Sequence, residues 1–243
     1  MRETVHFIPI VTTVLAVVFG TAVFRRWNAR RSGAHLLWWA GGIAAYGAGT
    51  LTEASVTLFG WNPVLFKAWY ITGALLGGAP LAQGTVYLLL KRKTANRLTA
   101  VVLPFILVAA TAVALSPIRY ELVESHRLTG SVMGWQWARA FSPFINLYAA
   151  IFLIGGAALS AWRYAKHTAT RHRFVGNSLI ALGALLPGIG GTATRFGYTE
   201  VLYVTELLGL SLIWLGYWSI VREGAGARAR GHDGALAPQE VRT

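Results

Sequence analysis

"FGTAVFRRWNARR" (Phe19–Arg31) carries an apolar run into four arginines within seven residues. A secretory signal peptide has the opposite order, with its positive charges ahead of the apolar stretch and small residues at a cleavage site behind it. No such site follows here, so the segment reads as a retained membrane helix stopped by charge. The same pattern recurs along the chain in seven apolar blocks. They run at about Phe7–Phe24, His35–Phe59, Val64–Leu90, Leu98–Leu115, Phe141–Trp162, Phe174–Thr194 and Glu200–Val221. Each is near or above the roughly 20 residues that cross about 30 Å of hydrocarbon as a helix.

Composition points the same way. The 243 residues are 55% hydrophobic and only 13% charged, with a mean hydropathy of +0.50. A soluble domain would carry about 25% charged residues. The expected fold is an all-α integral membrane protein, a seven-transmembrane-helix bundle over residues 1–223. Residues 224–243, rich in Gly, Ala and Arg, are expected to form a disordered cytoplasmic tail. With no cysteine in the chain, disulfides, thiolate metal sites and a cysteine nucleophile are excluded.

The net charge of +13 is explained by where it sits. Arg25, Arg26, Arg30, Arg31; Lys91, Arg92, Lys93, Arg97; Arg163, Lys166, Arg171, Arg173; and Arg222, Arg228, Arg230, Arg242 make up 16 of the 22 basic residues. If seven helices alternate in direction, all 16 lie on one side. The positive-inside rule then places the N-terminus outside and the C-terminus in the cytoplasm. Anionic lipid headgroups are the expected partners of these arginines, in a bacterial-type plasma membrane, and nucleic acid is not. A homo-oligomer or a protein partner stays open.

The one long connection, Ser116–Ala140, contains "RYELVESHRL" and "GWQWARAF". It suits a short amphipathic helix anchoring Trp135 and Trp137 in the headgroup layer, or a lid over an outer vestibule. Internal matches raise a 3+1+3 parallel repeat: "FGWNPVLF" (Phe59–Phe66) with "FGYTEVLY" (Phe196–Tyr203), and "FIPI" (Phe7–Ile10) with "FSPF" (Phe141–Phe144). This topology resembles that of SWEET/PQ-loop transporters and the one proposed for opsins, and in motif the likeness stops there. Pro9 and Pro143 lack the glutamine of a Pro-Gln pair. "TEVLYVTELLGLSLIWLGYW" lacks the lysine that would hold retinal, so that cofactor is not expected. The histidines lie outside the blocks or at their edges, which argues against haem held mid-membrane.

Against this apolar background, Glu53 in "YGAGTLTEASVTLFG" (Tyr46–Gly60) stands out. At 1.5 Å per residue it lies about 10 Å below the outer end of the second helix, and Glu206 lies about 9 Å deep in the seventh. Lys67, Tyr70, Asn146 and Arg195 fall at similar levels, giving a candidate outer-half site for an ion or small polar ligand. A carboxylate facing hydrocarbon costs roughly 2.5–3.5 kcal/mol, so both glutamates are expected to face inward. Gly41, Ala45, Gly49 and Glu53 form one small-residue stripe, and Glu53–Lys67 and Glu206–Arg195 are the candidate ion pairs. "PGIGG" (Pro187–Gly191) marks a candidate hinge at Pro187, Gly188 and Gly190. Gln83 and Asn177 suit hydrogen bonds between helices.

The chain has no HExxH, GxSxG or P-loop, and no catalytic residue or metal site is expected. The leading expectation is a small transporter or channel for a cation, proton or small polar solute. The alternative is a non-catalytic sensor or docking subunit of a larger complex. A lipid-modifying intramembrane enzyme, the third reading, has no motif in its favour.

Overall fold

A computed structural model describes residues 4–124, 127–166 and 170–235, the last thirteen of them by backbone alone. Long helical rods dominate: α1 (Thr4–Arg30), α2 (Ala34–Phe59), α3 (Pro63–Leu89), α4 (Arg92–Leu115), α5 (Gln136–Tyr164), α6 (Arg171–Phe196) and α7 (Thr199–Ala235). Six of them, all but α2, are long and apolar enough to cross a membrane. With 26 residues α2 has the length, but it carries four glycines, three threonines and Glu53. It is also the most enclosed rod, with α1 on one flank and α3 on the other. A helix screened from lipid by its neighbours can be less apolar than they are.

Close approaches give the directions of the rods. Cβ atoms on Gly47 and Gly20 would meet Ala16 and Ile43, and Cβ atoms on Gly42 and Gly49 would meet Leu81 and Gly73, so α2 runs antiparallel to both α1 and α3. Gly78 faces Ala149 and Gly156 faces Thr85, which makes α5 parallel to α3. On α1, His6 meets Tyr203 and Phe19 stacks on Trp214, so α7 runs parallel to α1. The arginine-rich segments therefore gather at one end of the bundle, called the basic end below.

The tightest seam joins α6 to α7. Gly176, Gly183 and Gly190, seven residues apart, face Gly216, Gly209 and Leu202. A Cβ on Gly183 would lie 2.6 Å from the Gly209 carbonyl oxygen, so only glycine lets the backbones approach this closely. Small-residue seams of this kind hold helices together where lipid offers no hydrophobic drive. They also account for "PGIGG": α6 runs unbroken from Arg171 to Ala193 through Pro187, and Gly190 is occupied by packing against Leu202 and Thr205. The interruption lies in α3 instead. There a π-turn, Tyr70–Leu75, runs into Leu76–Gly78, which is not helical, before Ala79–Leu89 resumes behind Pro80. A second π-turn, Ala150–Gly155, sits in α5. The proposed repeat pairs α1 with α5 and α3 with α7, and these irregularities do not follow it.

α7 is described as helix through Ala235; residues 236–243 of the expected tail lie outside the described part. One further expectation is corrected. The long connection forms 3-10 turns, Tyr120–Leu122, Gly130–Val132 and Gln136–Ala140, in place of an amphipathic α-helix. Its Val132 and Met133 are fully buried against α3 and α4. Arg127 reaches across to donate to the Thr194 carbonyl oxygen at the end of α6, at 2.7 Å. Trp135 and Trp137 stack at 5.7 Å and stay exposed.

A buried polar network ties α3 to α4 and α5 on the basic half. Gln83 donates to Thr99 Oγ1 at 2.8 Å and to the Ala95 carbonyl oxygen at 3.3 Å, and accepts from the Tyr148 hydroxyl. Tyr87 extends it by donating to Asn96 Oδ1 at 2.9 Å. Asn177, by contrast, bonds within its own helix, to the Arg173 carbonyl oxygen.

Candidate functional site

The site grows from one backbone contact. A Cβ on Gly49 would lie 3.0 Å from the Gly73 Cα, so α2 and α3 nearly touch there. One turn further from the basic end on each rod stand Glu53 and Trp69. The close approach delivers the Trp69 indole to Glu53, where Nε1 donates to Oε1 at 2.8 Å. Glu53 itself is 2% exposed.

α7 closes the other side. The Glu53 and Glu206 carboxyl groups lie close enough to act directly on each other, and Tyr46 on α2 donates to the Glu206 backbone carbonyl oxygen at 3.0 Å. Although Glu206 is only partly buried as a residue, its Oε2 is sealed from solvent, as is Oε2 of Glu53. Neither Oε2 has an N–H or hydroxyl donor. Among the described residues no lysine or arginine pairs with either group.

The chemistry follows from counting donors. Two ionised carboxylates offer only lone pairs, so a hydrogen bond between them requires a proton on one. Two bare charges this close would repel, and a proton held between them would relieve that repulsion.

Of the six residues expected to gather here, the structure brings two together. Lys67 does not pair with Glu53; its Nζ donates to the Ala114 carbonyl oxygen at 2.7 Å, at the last turn of α4. Unsatisfied carbonyls at a helix end are a ready acceptor for a long flexible cation. Arg195 and Asn146 are both exposed on the bundle surface. Tyr70 touches Trp69 ring to ring, but its hydroxyl bonds Ser142 on α5 at 3.0 Å. The stripe on α2 is also shifted: Gly41 is exposed, and the packed positions are Gly42, Gly49 and Glu53.

Two residues of the site were not expected: Trp69 and Tyr46. Each counts as a large apolar or aromatic residue in a composition, yet each brings a polar tip. Glu53 sits one helical turn beyond Gly49, and Trp69 one turn before Gly73, a register that glycine spacing could have suggested. A cavity of about 40 Å³ lies nearer the basic end, walled by Phe19, Val23, Ile43, Leu81, Leu153 and Ile213. Neither carboxyl lines it. Compared with known proteins, the chain matches no family model, no curated protein and no solved structure. The function must therefore be argued from the carboxyl pair itself.

Proposed function

We propose that this chain is a seven-span membrane protein, with its N-terminus outside and its basic end in the cytoplasm of a bacterial-type cell. In this reading Glu53 and Glu206 take up and release a proton, and the protein is a small proton-coupled carrier. The observation behind it is a pair of neighbouring carboxyl groups, one oxygen of each sealed from solvent, with no lysine or arginine paired to either among the described residues. The proton is the smallest cation such a pair could take. The carrier reading takes α2 and α7 as the moving partners, since the pair spans their interface.

The test uses the full chain reconstituted in lipid vesicles. Infrared difference spectra across a pH titration are expected to show a protonated-carboxyl C=O band that Glu53→Gln and Glu206→Gln each remove. An imposed pH gradient is expected to drive proton flux, read by an internal dye, that both variants abolish while remaining folded. Wild-type flux in either variant sinks the carrier reading.

A second reading has its own support. The cavity excludes the carboxyl pair, and the stacked, exposed Trp135 and Trp137 offer an aromatic surface beside the membrane. A sensor or docking subunit would show the infrared band without flux and would purify with a partner.

A further inference from the structure

α1 opens with a 3-10 turn, Thr4–Phe7, which leans on α7 at the end of the bundle away from the arginines. His6 in this turn is half-buried, with part of its surface open. Its ring meets the Tyr203 ring edge-on, with centroids 6.0 Å apart. Tyr203 is 4% exposed and precedes Glu206 by three residues on α7. That spacing places both on one face, about 4.5 Å apart along the axis. Glu53 from α2, and Glu206 and Glu200 from α7, all act electrostatically on Tyr203. His6, Tyr203, Glu206 and Glu53 thus follow one another from the surface to the sealed pair.

A sealed pair needs a route for its proton, because bulk water does not touch Oε2 of either group. Imidazole takes up and gives up a proton near neutral pH. A phenol can pass one along, donating its own while accepting another. We propose that His6 and Tyr203 form the inlet through which protons reach Glu206 and Glu53 from the end of the bundle opposite the arginines. The proposal rests on the proton-sharing reading of the carboxyl pair. In the transfer, with a water bridging each gap, an imidazolium N–H proton ends on the Tyr203 oxygen as the Tyr203 O–H proton ends on the Glu206 carboxylate. One N–H and one O–H bond break, two O–H bonds form, and the neutral imidazole is recharged from bulk water.

Rate and extent separate the inlet from the pair it feeds. The full chain in vesicles is given a rapid external pH drop, and the protonated-carboxyl infrared band is followed in time. His6→Ala and His6→Gln are expected to slow its appearance about a hundredfold, the lower end of the range for a positioned acid–base group. The final amplitude should be unchanged, and imidazole buffer should restore the rate in His6→Ala. Tyr203→Phe should be equally slow and should not respond to imidazole. Wild-type rates in these variants, or a slow His6→Ala that imidazole does not rescue, overturn the inlet while leaving the carboxyl pair's reading intact. Absence of any pH-dependent band in the wild type removes both.

Discussion

Two polar clusters are buried in this bundle, and they are satisfied in opposite ways. Around Gln83 the groups are all neutral, and the amide has donors and acceptors on two neighbouring rods, α4 and α5. Around Glu53 the groups are acidic, one indole N–H serves one oxygen, and a sealed oxygen on each glutamate has no donor. A neutral network of this kind fixes packing and asks for nothing more. In the proposed carrier, an acidic cluster short of donors holds a place for a proton. On that proposal the contrast is between a brace and a working part within one fold.

The most disruptive way to break the comparison is through the seam that carries Glu206. Gly209→Val places a Cβ 2.6 Å from the Gly183 carbonyl oxygen, an overpacking expected to cost about 3 kcal/mol. Thermal melts in detergent should show a large drop, and the carboxyl infrared band should go with it, because α7 is pushed off α6. Gln83→Leu comes next. It leaves the Tyr148 hydroxyl and Thr99 without their amide, a loss of roughly 1–3 kcal/mol, but the carboxyl band should survive intact. Loss of that band in Gln83→Leu would show that the two clusters are not independent.

Smaller effects sharpen the contrast. Gly49→Ala puts a methyl 3.0 Å from the Gly73 Cα and should cost about 1 kcal/mol. Its signature is a weakened Trp69 indole bond to Glu53, read from the indole N–H band in ultraviolet Raman spectra. Asn146→Ala and Arg195→Gln are expected to stay within about 0.5 kcal/mol, as exposed substitutions do, and to leave the carboxyl band untouched. A changed band in either variant would return that residue to the site.

The shared depth of Glu53 and Glu206 is legible by counting residues, because a helix converts sequence distance into height at a fixed rate. Azimuth is not legible in the same way. The π-turn at Tyr70–Leu75 and the interruption at Leu76–Gly78 reset the facing of α3, so a three/four spacing drawn through Lys67, Tyr70, Ala74 and Gly77 follows no single stripe. Lys67 could be placed at the right level, but nothing in its neighbours reveals that the carbonyl end of α4 competes for it. Trp69 was hidden for another reason: a hydropathy pattern weighs its ring and ignores its N–H. The glycines around Pro187 carry two meanings in sequence, loosened backbone or close packing, and only the facing glycines of α7 decide between them.

The bond from Arg127 to the end of α6 bears on how the molecule can deform. It anchors the connection between α4 and α5 to the far side of the bundle, much as a rope lashed across the mouth of a sack limits how far the cloth can part. Splaying of the rods at this rim would have to lengthen or snap that lashing, whereas the opposite rim has no such tether in the long connection. Shortening this connection by a few residues should therefore stiffen one rim without touching either carboxyl of the proposed carrier.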